Sequence, residues 1–241
     1  MAFKRVLIVG CSHGVHICPR ARNAVLKFKK DFKPQTVVHL GDFCDTAALR
    51  SGAKGTRDEG EDIEPDIDGG LGFLREIGAN IVLAGNHEHR IWQQAESPNA
   101  VVAYAAGQIL GAIQDFCKAS KVQFHEYSGI HQVAKLGDYT LTHGSIYNEN
   151  SVRDNAEIYG NVVHAHTHRP GIAYGRRIDS PIGFCVGTLT PRRAMGYAQN
   201  RRATLSWGMG FVWGEYDDKK AHLQLCLGPQ EQNPDSEWRL P

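Results

Sequence analysis

Three short apolar runs near the start of the chain each end in a glycine followed by side chains that bind metals. Val6–Val9 leads into "GCSH", Val37–Leu40 into "GDFCD", and the run "NIVLAG" into "GNHEH". A brief apolar run closed by glycine reads as a strand buried on both faces. The intervening Ala21–Lys30 sets Val25 and Phe28 on one helical face and lysines on the other, and Leu71–Ile77 is also apolar at helical intervals. A β-α-β order specifies parallel strands under crossover helices. Open sheets of that kind carry their sites at the carboxyl ends of the strands, where these donors stand.

The rest of the chain changes period. Asp58–Gly70 is acidic and glycine-rich and reads as a mobile loop. Residues 90–120 carry apolar side chains at helical spacing, broken at Pro98 and Gly107, and read as a helical excursion in two or three pieces. From His131 alternation takes over: "HQVAKLGDYTLTHG" is a hairpin about Gly137-Asp138, and "NVVHAH", "GIAYGRRI" and "IGFCVGTL" are short strands. "GFVWGEY" and "AHLQLCL" form a last hairpin around Asp217–Lys220, and the polar tail 229–241 reads as extended over the surface. With no linker between the halves, residues 1–241 read as one domain in which two sheets pack together.

Length allows one large α/β domain or two small ones, and 41% hydrophobic with 22% charged residues is ordinary for a globular core. A net charge of +1 argues against a uniformly basic nucleic-acid coat. The six cysteines are scattered rather than spaced as a disulfide framework, so reduced thiols in a cytoplasmic enzyme are expected. The N-terminal apolar run is too short for a signal-peptide core, and no stretch reaches transmembrane length; no membrane partner is expected.

Two later strand ends add His143 in "THG" and His164, His166 and His168 in "HAHTH". Five strand ends thus present Asp, Asn and His, donors for divalent transition metals. Any one of them alone would be an ordinary turn or core residue; five in order make coincidence the minor reading.

These blocks resemble the calcineurin-like metallophosphoesterase family, whose pattern is D-x-H, G-D-x-x-D, G-N-H-E/D, H and G-H-x-H in that order. Here they stand as Cys11-Ser12-His13, Gly41-Asp42-Phe43-Cys44-Asp45, Gly85-Asn86-His87-Glu88, His143, and Ala165-His166-Thr167-His168. The "HTHRP" ending is similar to that of small stand-alone bacterial and phage-type members. The resemblance implies an α/β fold of two packed mixed β-sheets flanked by helices, a four-layer α/β/β/α sandwich. It also implies two divalent metal ions, Zn, Fe or Mn. Asp42 would bridge them, with Cys11, His13 and His168 at the first and Asn86, His143 and His166 at the second. His87 would stay off the metals and act on the phosphate, while Asp45 and Glu88 would orient ligands. The implied reaction is hydrolysis of a phosphate ester by a hydroxide shared between two ions about 3.5–4 Å apart.

The departure from the pattern is Cys11, which stands where the family has Asp. A thiolate ligand would bias the first position toward Zn or Fe. The alternatives are a weakened first position and a relic site on a non-catalytic metal-bound scaffold. The grouping of Cys11, His13, His16 and Cys18 as a structural zinc lacks the usual paired spacing, so His16 and Cys18 read as packing or loop residues.

Substrate signals are sparser. Arg192, Arg193, Arg201 and Arg202 follow a strand-like segment and are candidates to grip further phosphates. Trp207, Trp213 and Tyr197 are candidate stacking surfaces, with the tryptophans reading more readily as core. The expected partner is a phosphate-ester substrate, a phosphodiester of a nucleotide or nucleic acid ahead of a small phosphomonoester; the sequence assigns no oligomeric state.

Overall fold

β1 (Lys4–Val9) is buried from Val6 to Val9 and uses both faces. Leu7 and Val9 join a core beneath the helices, whereas Val6 and Ile8 join a second core on the opposite side. That division is the consequence of a two-residue side-chain period. It also sets the layering of the protein.

The computed structural model describes residues 2–199, 201–229 and 237–241. After β1 come α1 (Pro19–Phe32), β2 (Thr36–His39), α2 (Ile63–Ile77), β3 (Ile81–Leu83), α3 (Asn86–Ala95), α4 (Ala100–Ala119) and β4 (Gln123–His125). There follow β5 (Ala134–Leu136), β6 (Tyr139–Leu141), α5 (Ser151–Tyr159), β7 (Val162–His164), β8 (Gly171–Tyr174), β9 (Ile182–Cys185), β10 (Gly210–Tyr216) and β11 (Ala221–Leu227). One sheet runs β11-β10-β1-β2-β3-β4 and the other β5-β6-β7-β9-β8. β1 through β4 are parallel and β10 is antiparallel to β1; in the second sheet β6-β7 and β7-β9 are parallel while the edge pairs are antiparallel. Two mixed sheets flanked by helices are therefore present. Val6, Ile8, Val38, Leu40 and Leu83 meet Leu136, Leu141, Val163 and Phe184 between them.

Local signals explain the helices. α1 begins on Pro19, whose missing N–H costs nothing there, and ends as Lys33 turns left-handed. Asn99 caps α4 by accepting from the N–H groups of Val101 and Val102. Gly78 closes α2 at φ 61°.

Four expectations need correction. Residues 58–70 are not a mobile loop: after a short 3₁₀ turn, α2 begins at Ile63 with Pro65, Glu64 and Asp66 in its first turn. Gly69 and Gly70 serve close packing, since a Cβ at Gly70 would lie 2.6 Å from Cys44 Sγ and one at Gly69 3.1 Å from the Gly14 backbone. Gly107 does not interrupt α4; only the Ser97-Pro98 region separates α3 from α4. α4 is also long and apolar enough to cross a membrane by length and composition, contrary to the sequence expectation. Here it buries Ala106, Ile113, Phe116 and Cys117 against the helix-side core. Of the tail, residues 230–236 lie outside the described residues; beyond them Trp238 stacks on Phe211 with ring centroids 5.7 Å apart, packing rather than trailing over the surface.

Candidate metal centre

The loops after β1, β2, β3, β6 and β7 converge on one point. Cys11, His13, Asp42, His166 and His168 all have φ between 49° and 64°. Left-handed backbone costs about 1–2 kcal/mol for a side-chain-bearing residue, and it persists only where the surroundings over-determine it. Here Cys11 N–H donates to Gly41 O (2.9 Å), His13 N–H to Asp42 O (2.9 Å) and Gly14 N–H to Phe43 O (2.7 Å), lacing the first loop to the second. Gly85 must lack a side chain, because a Cβ would overlap Asp42 Oδ1. Buried Glu88 ties the second loop to the third: its carboxylate accepts from Asp42 N (2.8 Å), Cys44 N (2.8 Å) and Gly85 N (2.7 Å). Asp66 of α2 accepts from Asp45 N and Thr46 N.

The donors form two clusters that share Asp42. In the first, ligand atoms of Cys11, His13, Asp42 and His168 lie within 4.8 Å of one another, all buried. His13 Nε2 faces His168 Nε2 at 3.1 Å, and Cys11 Sγ is 4.0 Å from Asp42 Oδ2. In the second, Asp42, His143 and His166 group similarly. His143 Nε2 lies 3.4 Å from Asp42 Oδ2 and 3.1 Å from Asn86 Oδ1, which is 2.9 Å from His166 Nδ1.

These residues fit divalent metal binding. His13 Nδ1 is engaged by Asp45 Oδ1 at 3.0 Å and His143 Nδ1 by Leu40 O at 2.7 Å. That fixes each ring so that Nε2 offers its lone pair to the centre. Two imidazole nitrogens facing each other beside a buried thiol and carboxylate satisfy one another poorly, but together they make a transition-metal donor set. Burial holds the His13 and His168 imidazoles down, and His166 is pushed to about 3; all are then neutral, the form that ligates. Burial alone would raise Asp42, but His143 and His87 hold it well below the usual carboxylate range.

His87 adjoins the first cluster but belongs to neither of the two groups that share Asp42. Its Nδ1 is 2.6 Å from Asp45 O and 3.0 Å from Asp45 Oδ1, and its Nε2 is 4.0 Å from Asp42 Oδ2. Burial opposes its charge, yet Asp42 and Asp45 outweigh that and raise it. Asp45 also groups with His13 and His87, serving both rings from one carboxylate.

The centre forms the floor of a cleft of about 440 Å³ walled by Arg50, Arg90, Arg169, Arg201, Tyr147, Tyr197 and Trp207. Of the arginines expected at the substrate, only Arg201 lines it. Arg202 lines an adjoining cavity of about 710 Å³ that shares Arg169 and Ala203 with the cleft, and Arg192 and Arg193 are among the lining residues of neither. The core reading of Trp207 is corrected: its ring packs edge-on to His168 with centroids 4.1 Å apart, on the cleft wall. Trp213 does pack on the core, against Phe28 and Phe32. Arg90 and Arg169 were missed as lining residues although each follows a histidine block directly; Arg50 and Tyr147 carry no signal in the sequence. The four-ligand zinc alternative does not assemble: Cys18 packs against the helix-side core, and His16 lies 3.4 Å from Glu61 and 3.7 Å from Asp45.

The sequence matches the calcineurin-like phosphoesterase family over residues 4–184. The chain belongs to that family and is a metallophosphoesterase, a hydrolase, with clustered residues able to bind metal. No curated protein sequence matches it. Similar solved structures include a metallophosphoesterase from Sphaerobacter thermophilus (15% identity, 92% of this chain and 87% of that one, TM-score 0.46). Others are the phosphoesterase YfcE from E. coli (15%, 91% and 98%, 0.40) and Vps29 from Chaetomium thermophilum (15%, 95% and 90%, 0.44).

Proposed function

We propose that this protein hydrolyses a phosphodiester of a nucleotide or nucleic acid at a dinuclear centre of divalent transition metals. Cys11, His13, Asp42 and His168 would hold one ion, and Asp42, Asn86, His143 and His166 the other. The observation that carries the reading is the convergence of these donors on Asp42 at the floor of an arginine- and aromatic-walled cleft. When bound, the metal would supply Lewis acidity toward the phosphoryl oxygens and would lower the pKa of the attacking water.

The protein's own groups then have distinct tasks. Hydrolysis forms a P–O bond to the water oxygen and breaks the P–O bond to the leaving alcohol. His87 gives that leaving oxygen its proton from Nε2, while Asp45 fixes Nδ1; the proton lost by water restores the imidazolium. Arg201 offers a guanidinium to a phosphate oxygen, as Arg is suited to do. Tyr197 and Trp207 offer faces on which a base stacks.

The adjoining cavity beyond Arg169 supports a diester over a monoester, because it extends the cleft and gives room for a second substituent. The test compares bis(p-nitrophenyl) phosphate with p-nitrophenyl phosphate on metal-loaded protein. Faster turnover of the diester is expected; hydrolysis of the monoester alone overturns the diester assignment.

A further inference from the structure

We propose that Cys11 makes the two metal positions chemically unequal: a thiolate position that takes and retains a Zn²⁺-like ion, beside an oxygen–nitrogen position open to harder ions. The inference rests on the dinuclear reading above and concerns which ion each position selects. It starts from how tightly the thiol is held. The Cys11 backbone is pinned on both sides, with N–H donating to Gly41 O at 2.9 Å and its carbonyl accepting from Leu189 N (3.1 Å) and Thr188 Oγ1 (2.8 Å). The side chain is fully buried.

A buried cysteine is often only a small apolar filler, and Cys11 does join the core between the sheets. Its surroundings on the other side differ from a filler's. Asp42 Oδ2, His13 Nε2 and His168 Nε2 all lie with Sγ inside one 4.8 Å group, and Asp42 at 4.0 Å is too far for a strong thiol hydrogen bond. One sulfur, two imidazoles and one carboxylate shared with the second position are donors of the kinds that zinc takes. The second position has Asn86, His143 and His166 with the shared Asp42 and no sulfur. Thiolate favours Zn²⁺ and other soft ions, whereas carboxylate and amide oxygens accept Mn²⁺.

The test is spectroscopic and needs no substrate. Metal-free protein is titrated with Co²⁺ under anaerobic conditions. The first equivalent is expected to produce a near-ultraviolet sulfur-to-cobalt charge-transfer band, and the second only visible d–d bands. Cys11→Asp should bind two equivalents without the charge-transfer band, and its preference for Zn²⁺ over Mn²⁺ in competition should fall on the order of 10–100-fold. Cys11→Ala should lose one equivalent while keeping the other. Wild-type protein that binds two Co²⁺ without the band, or a band that survives in Cys11→Asp, overturns the inference. Wild-type protein that binds no Co²⁺ overturns the underlying metal-centre reading and this inference with it.

Discussion

Replacing Glu88 with glutamine is a near-isosteric change whose cost follows from three hydrogen bonds. Oε2 accepts from Asp42 N and Gly85 N, and Oε1 from Cys44 N, all inside the protein. A glutamine amide can put its oxygen against the first two donors, but its NH₂ then faces the Cys44 N–H. One buried donor left without an acceptor costs about 1–3 kcal/mol. The other two bonds lose charge assistance, about 1 kcal/mol in all, because burial and the nearby Asp42 push Glu88 up to about 7 and it is only fully ionised above that. The sum is roughly 2–4 kcal/mol. For a chain of this length that corresponds to a fall in Tm of roughly 4–16 °C. The assay is calorimetry of metal-free wild type, Glu88→Gln and the exposed control Glu64→Gln at pH 8. A Tm for Glu88→Gln within about 2 °C of wild type would show that Glu88 does not tie the Asp42 and Asn86 loops together.

Other outcomes follow from the same geometry. Asp42→Asn should abolish hydrolysis and lower bound metal, as measured by elemental analysis, because both clusters use this carboxylate; full activity would sink the mechanism. His87→Asn should lower kcat by roughly 10²–10⁴ with metal content unchanged; loss of an ion would make His87 a ligand. Arg201→Ala with Arg202→Ala should weaken an oligonucleotide substrate and flatten its salt dependence while sparing a small chromogenic ester; equal loss on both would indicate a folding defect. Adding divalent metal at about 100 times its Kd should stabilise the metal-free protein by about 2.7 kcal/mol, seen as a higher Tm; an unchanged Tm would contradict a native metal site.

How legible this was in the sequence differs by element. β1, β2 and β3 were readable because each is a short apolar run closed by glycine, and Cys11, His13, Asp42 and Asn86 were readable because each follows such a run within four residues. Leu71–Ile77 was read as helix, but the first half of α2 was misread because Gly69 and Gly70 are signs of a loop in isolation. Their role, letting a helix approach Gly14 and Cys44, exists only once the chain is folded. β4 and α5 went unread for a similar reason, since three residues of strand and a polar helix carry too little pattern. The cleft wall was least legible: Arg50 and Tyr147 reach it by tertiary placement alone. Trp207 reads as core because tryptophan usually is, and only His168 beside it shows otherwise.

We propose that two ions held around Asp42 are required for phosphodiester hydrolysis. The direct measurement is the rate of bis(p-nitrophenyl) phosphate hydrolysis as metal-free protein is titrated with Mn²⁺ and with Zn²⁺, with bound metal determined at each point. No turnover is expected without metal, and the rate should rise until two ions are bound per chain. Turnover by metal-free protein, or saturation of metal binding at two ions with no hydrolysis by either metal, would contradict it.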